Sequence, residues 1–447
     1  MNDNPALKFN LQIPLKRIQQ ILIGVLLINL IFLFGTYLQH KQSFMVHNSA
    51  VQIFLFEFNL SKENHLAAWY SSMLLFTAGI TAALCFWADM QRAVDIKSRI
   101  LNVGWVVIAC IFIMLSFDEM GSFHEMIGET ALLKMAGGGT GAGWYAFYAL
   151  IGLVAVFMVL FFFLKFRKNW ISFALAVVAV LLFVSNPFQE KLEMYSWRNS
   201  IDPDNWRRPV SLLLIEEGSE IFATFCFLFS FINYAVGASS VVIAGKGKML
   251  QLQAYVTKYF MYYLVGFIFL LGSIMLVIHF NAWNFKGDDN GIPDNWPPSA
   301  TSFFASLVCL YLYHQFSNLP SSRVYLLLGS VSLLISLYYG SNIYYYRLLS
   351  HPYYFLPYVM AAIVAIAVLY SIPKMAGIYS KFCMAAWTIL LTATMLANGF
   401  PTAFLGYIAS ALLIIGLFLN YQARYKQASV LAEPPGIGLR ANEPSLL

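Results

Sequence analysis

Asp118, Glu119, His124, Glu125 and Glu129 follow one another at the end of a long, almost uncharged apolar stretch, and Glu216, Glu217 and Glu220 open another about a hundred residues later. Carboxylates mixed with an imidazole form the ligand set that Zn, Mn or Fe takes. A further carboxylate beside such a metal can act as general base. Ionisable groups at a membrane boundary are costly to desolvate, so they need partners, water or a metal. On this reasoning Asp118, His124, Glu125, Glu216 and Glu220 are the candidate metal ligands, and Glu119 and Glu217 the candidate catalytic bases.

Helical spacing limits what one segment can do. Successive residues turn by about 100°, so Asp118, Ser122, Glu125 and Glu129 share a stripe about 60° wide. Three carboxylates on one stripe repel unless a cation, a partner helix or protonation relieves them. Glu119 and His124 lie about 100–120° to either side of Asp118, so one helix cannot aim all of these groups at a point unless it ends or bends near Gly121. Glu216 and Glu220 are one turn apart. Neither a His-Glu-x-x-His nor a Glu-x-x-His motif is present. Two other readings therefore stand beside the metal centre: acids paired with Lys191, Arg198, Arg207 or Arg208 in a solvated vestibule, and a proton or cation path.

The elements that must position these groups are set by composition. The chain has 447 residues, 60% hydrophobic and 11% charged, with mean hydropathy +0.68. So few charges cannot cover a soluble surface of this size. A span needs roughly 17–25 apolar residues, and twelve stretches qualify: 18–38, 67–88, 100–118, 144–165, 169–187, 210–237, 259–280, 299–316, 324–346, 353–371, 380–397 and 402–421. In lipid they must be helices, because backbone groups there find no water. The expected fold is all-α and polytopic, with about twelve transmembrane helices. The first stretch follows Lys8, Lys16 and Arg17 and is read as a retained helix.

With the N-terminus cytoplasmic, the cytoplasmic segments hold 18 Lys and Arg against 5 Asp and Glu, and the other side 9 against 16. Lys and Arg are retained inside. The expectation is a bacterial inner-membrane protein with both termini cytoplasmic and both acidic clusters at the outer face. Its partners are the bilayer and a lipid-linked or small-molecule substrate, not nucleic acid. The five cysteines, Cys85, Cys110, Cys226, Cys309 and Cys383, have no metal-knuckle or redox spacing and read as packing residues.

Internal similarity predicts a parallel repeat of two six-helix halves, 1–237 and 238–427, before a disordered cytoplasmic tail, 428–447. Glu57, Asn59 and Trp69 lead into the second span as Trp283, Asn284 and Trp296 lead into the eighth. At a constant offset of 220, Ser116 falls on Ser336 while Asp118, Glu119, His124 and Glu125 all fall on tyrosines. The ionisable site then belongs to the first half alone. Segment 134–144 is a glycine-rich connection without the Gly-Lys-Ser/Thr ending of a phosphate loop. Segment 189–209, with Tyr195, Trp197 and Trp206 among mixed charges, suits an interfacial helix.

Three resemblances attach to these motifs. Leu-Ser-Phe-Asp-Glu-x4-His-Glu at 115–125, with Glu-Glu-x2-Glu at 216–220, resembles a group of uncharacterised bacterial multi-pass membrane proteins; it implies no activity. Ser116, Asp118 and His124 are similar to residues of alkaline-ceramidase-type hydrolases, but no His-x3-His pair follows. Loop 286–296 resembles a thrombospondin type 3 calcium loop at Asp288, Asn290 and Asp294, with Lys286 and Pro297 in place of two oxygen ligands. The functional expectation is a metal-dependent membrane enzyme using Zn, Mn or Fe on a lipid-linked or exported substrate. Its alternatives are a secondary transporter using the same acids, and an envelope-assembly scaffold.

Overall fold

The computed structural model describes residues 15–42, 55–61, 65–90, 92–121, 142–198, 208–239, 270, 296–316, 322–341, 356–396 and 402–432. Among them the secondary structure is helical throughout, with no strand. The helices are α1 (Leu15–Gln42), α2 (Leu66–Met90), α3 (Ile96–Gly121), α4 (Ala142–Phe166), α5 (Trp170–Arg198), α6 (Val210–Ser239), α7 (Trp296–Gln315), α8 (Arg323–Gly340), α9 (Leu356–Ser371), α10 (Ile378–Leu396) and α11 (Thr402–Ala432). Each overlaps an apolar stretch of the sequence. Seven contain segments long and apolar enough to cross a membrane, lying in α1 to α5, α8 and α11. The chain is a multi-pass membrane protein. The stretch expected at 259–280 lies outside the described residues, apart from Leu270.

Lipid solvates the outside of this fold. Ile21, Ile23, Leu27, Ile31 and Phe34 of α1, and Leu150, Leu153, Val156 and Leu160 of α4, are all exposed. With hydrocarbon outside, burial of apolar area does not drive association; close packing and polar bonds do. Small residues accordingly line the contacts: Ala78 and Ala82 of α2, Ala176 and Ala179 of α5, and Ala223 of α6 are buried. Hydroxyls are satisfied locally, Thr77 by the carbonyl of Met73 and Thr81 by that of Thr77.

The chain forms two compact units. The larger comprises residues 6–300 and 337–353. In it α2 packs against α3 and α6, α5 against α4 and α6, and α1 against α6. Its centre is an aromatic mass: Trp105 meets the rings of Phe161, Phe231 and Tyr234 at 5.0, 5.5 and 5.4 Å, and Phe112 meets Phe227 at 5.0 Å. All the described carboxylates of the chain lie in this unit, since no Asp or Glu occurs between 295 and 432. The smaller unit, residues 301–336 and 354–447, pairs α10 with α11 and α9 with α10. There Asn420 donates to the Tyr325 hydroxyl, and Arg424 donates to the Lys374 carbonyl at 2.6 Å.

Candidate functional site

The larger unit has an acidic end, formed by the close of α3 and the start of α6, and a basic end, formed by the α2–α3 and α4–α5 turns. At the acidic end Asp118 and Glu119 occupy the last turn of α3, both half-buried. His124, Glu125 and Glu129 lie outside the described residues, as do Asp288, Asn290 and Asp294 of the calcium-like loop. Among the described residues no three of His, Cys, Asp and Glu come together closely enough to hold a metal.

The three glutamates of α6 are described in full. Arg208, two residues before the helix, forms an ion pair with Glu216, and its Nη1 lies 4.0 Å from Glu217. Its carbonyl accepts from His40 Nε2 at 3.1 Å, which ties the end of α1 to this point. Of the four basic partners expected from sequence, Arg208 is the one placed against the acids; Lys191, Arg198 and Arg207 have no described side chain. Arginine suits this role because its fork stays charged and reaches two carboxylates at once.

Glu220 is held differently. Its Oε1 accepts from Asn186 Nδ2 at 2.7 Å, across the α5–α6 contact. Ser219 donates to Asn186 Oδ1 at 2.7 Å and also sits within 2.8 Å of the Glu216 carbonyl. Gln189 donates to Ser185 at 2.8 Å and lies 3.3 Å from the Ser219 hydroxyl. Gln189 Oε1 is buried without a donor among the described residues. A proline places this row: Pro187 removes a backbone N–H within α5 between Asn186 and Gln189. Glu57 faces buried His65 at 3.7 Å and accepts from the Leu66 amide at 3.1 Å, capping α2.

The basic end carries a second cluster that the sequence reading missed. Asp89, 6% exposed on the last turn of α2, accepts from Lys165 Nζ at 2.7 Å and Trp105 Nε1 at 2.9 Å through Oδ2, and from the Tyr234 hydroxyl at 2.8 Å through Oδ1. Lys165 also donates to Asn102. One carboxylate thus joins α2, α3, α4 and α6. Its signal was in the sequence: Asp89 is an acid beside a span on the side otherwise rich in Lys and Arg.

Along α6, Glu220 and Tyr234 are fourteen residues apart, about 21 Å at 1.5 Å per residue. Phe227 and Phe231 fill the interval, packed on Phe112 and Phe162. The unit therefore holds one polar cluster at each end and an aromatic layer between. No curated protein and no solved structure matches the chain. Residues 22–235, which contain every member of both clusters, match the family model described as a domain of unknown function (DUF8692).

Proposed function

We propose that the chain is a secondary transporter for a cation, with Glu220 as the coupling acid. The observation that carries this reading is the buried Gln189 Oε1, without a donor among the described residues, beside the Asn186–Ser219–Glu220 row. A buried acceptor without a donor is costly. Placed among carboxylates, it suits a ligand that brings both N–H donors and positive charge, such as an ammonium-bearing solute, or a hydrated proton. Arg208 pairs with Glu216 and approaches Glu217, and Glu220 accepts from the neutral amide of Asn186. Lys165 and Asp89 close the opposite end of the same helices, and the aromatic layer separates the two.

The topology that accompanies this reading has twelve spans in two parallel halves, N- and C-termini cytoplasmic, in a bacterial inner membrane, with the acidic end outward. Reciprocal packing supports the repeat. Trp296, opening α7, donates to Ser116 near the end of α3 at 3.0 Å. Trp69, near the start of α2, lies so close to Gly340, the last residue of α8, that a Cβ there has no room.

The test is flux in proteoliposomes loaded with a panel of cationic solutes under an imposed pH gradient. The wild type accumulates at least one of them, while Glu220→Gln and Glu216→Gln do not. Equal flux in wild type, variants and empty vesicles overturns the proposal.

A second reading keeps the acids as a metal centre of a membrane enzyme. It is favoured by Asp118 and Glu119 on the last turn of α3, leading directly toward His124 and Glu125. Asp118, His124, Glu125, Glu216 and Glu220 would hold a divalent transition metal, and Glu119 or Glu217 would take the proton from a bound water. Metal content of the purified protein beside an Asp118→Ala/Glu216→Ala variant decides between the two readings: a stoichiometric metal lost in the variant favours the enzyme.

A further inference from the structure

The smaller unit carries cations and, over its described residues, no carboxylate to neutralise them, since no Asp or Glu occurs between 295 and 432. Arg424 is turned inward. It donates to the Lys374 carbonyl at 2.6 Å and stands over the rings of Phe316 and Tyr325. Arg323 opens α8, and Lys374 ends a 3-10 turn, Ile372–Lys374, that continues α9. These two converge on Tyr370. Lys374 Nζ stands 3.0 Å from the centre of the Tyr370 ring, and the charges of both Lys374 and Arg323 reach its hydroxyl. Tyr370 is 50% exposed and Arg323 is exposed as well, so the two cations meet at a side chain on the outside of the unit.

The same tyrosine ends an apolar stripe. Tyr358, Ala362, Ile366 and Leu369 are exposed along one side of α9, while Ala361, Val364, Ala367 and Val368 are buried on the other. Ile366, Tyr370 and Lys374 follow one another at about one helical turn, so the stripe leads straight to the cations. In a multi-pass protein such a stripe faces acyl chains, and a tyrosine beside Lys and Arg at its end marks the headgroup level. Two cations without a carboxylate favour a headgroup of net negative charge over a zwitterionic one, whose own ammonium they repel. A soluble anion would use the cations and leave the stripe uncontacted.

We propose that Arg323 and Lys374 hold the phosphate of an anionic phospholipid over Tyr370, with an acyl chain along the Tyr358–Leu369 stripe of α9. The site lies in the smaller unit and does not depend on what the acidic end of the larger unit transports.

The experiment measures thermal unfolding of the full-length protein in a neutral detergent as dioleoylphosphatidylglycerol, dioleoylphosphatidylcholine or sodium phosphate is added. The variants are Arg323→Gln, Lys374→Gln, the two combined and, as control, Lys97→Gln, which removes one exposed charge from the larger unit. Phosphatidylglycerol raises the melting temperature of the wild type more than phosphatidylcholine does. Its apparent affinity falls about fivefold in each single variant and about thirtyfold in the double one, the scale of one and two charges at a headgroup. Lys97→Gln leaves it unchanged. Equal stabilisation by the two lipids overturns the charge selection and with it the site. Stabilisation by sodium phosphate as strong as by phosphatidylglycerol overturns the acyl-chain assignment and leaves a soluble phosphate as the ligand. An affinity unchanged in Arg323→Gln, or lowered as much in Lys97→Gln, assigns the effect to general surface charge and overturns the site. Arg323 is exposed, so Arg323→Gln against Lys97→Gln still decides the matter should Lys374→Gln fail to fold.

Discussion

Asp89 and Lys165 are 76 residues apart in the chain and 2.7 Å apart in space, each less than a tenth exposed. The pair sits where α2 and α4 end, and Trp105 and Tyr234 complete the carboxylate's bonds. Desolvating two charges offsets much of what their attraction returns, so the pair adds little net stability, while removing one partner strands the other. Asp89→Ala is therefore expected to destabilise the protein by about 3–5 kcal/mol. Asp89→Leu combined with Lys165→Met is expected to recover part of that loss, since no charge is stranded while Trp105 Nε1 and the Tyr234 hydroxyl still lose their acceptor. Thermal unfolding of the three proteins in detergent checks this, and a double variant as unstable as the single one contradicts it. If the pair also closes the basic end during transport, the double variant folds yet transports with altered rate.

At the acidic end the prediction concerns Arg208. Its guanidinium neutralises Glu216 and approaches Glu217, while Glu220 is held by Asn186. Arg208→Gln removes the cation that pairs with Glu216 and approaches Glu217, so the repulsion between these neighbouring carboxylates is no longer offset by it. The expected outcome is a shift in the pH profile of transport toward higher pH, while Asn186→Ala changes the apparent substrate affinity. Flux measured against external pH separates them. Identical profiles in wild type and Arg208→Gln argue against a role for the ion pair.

Helices were legible in the sequence because a run of apolar residues in lipid has a single backbone solution. The acids of α6 were legible too, since Glu216, Glu217 and Glu220 interrupt such a run. Their partners were not. Asn186, Gln189 and Ser219 are neutral polar residues with no periodic signal, and only the α5–α6 contact brings them to Glu220. Asp89 and Lys165 were visible as charges but were counted as loop residues; pairing them requires knowing that α2 and α4 end side by side. His65 gave no signal of its own, yet it is buried against Glu57.

Trp296 provides a test of the reciprocal packing. It is 2% exposed, donates to Ser116, and meets Phe76 and Phe117 edge-on at 6.0 and 5.3 Å. Trp296→Phe removes the hydrogen bond and keeps most of the ring, at an expected cost of about 1 kcal/mol. Gly340→Ala forces a Cβ into Trp69 and is expected to cost about 1–3 kcal/mol by overpacking. Melting temperatures of both decide it. A Gly340→Ala protein as stable as wild type refutes the close approach.

Asp95 gives the fold a pH dependence of known sign. It lies before α3, and hydrogen bonds from Ser98, side chain first and then backbone, hold its carboxyl below its ordinary value of 3.8. A carboxylate with a depressed value in the folded state stabilises above its unfolded value, and that contribution disappears as pH falls through the folded one. Amide exchange at the first turn of α3, corrected for intrinsic rates, is expected to stay constant from neutral pH down to about pH 4 and to accelerate below it. Asp95→Ala is expected to exchange faster at neutral pH and to lack the acid step. A step of equal size in Asp95→Ala would assign it to another group.

The α2–α3 contact tests whether small residues hold this unit together. Gly79 is buried against α3, where an added Cβ would stand 3.0 Å from Ile113 Cγ1 and 3.2 Å from the Ala109 carbonyl oxygen. Two turns away Ser72 donates to the Ser116 carbonyl at 2.6 Å, so the same face of α2 carries both the close approach and the bond. The carbonyl is backbone and cannot rotate aside as a side chain could. Gly79→Ala is therefore expected to separate the helices slightly and cost about 1–3 kcal/mol, and Gly79→Leu to cost more. Ser72→Ala removes one interhelical bond and is expected to cost about 0.6 kcal/mol, the average for such bonds in a membrane. If Gly79→Leu melts no lower than Ser72→Ala, polar bonding rather than backbone approach holds α2 to α3.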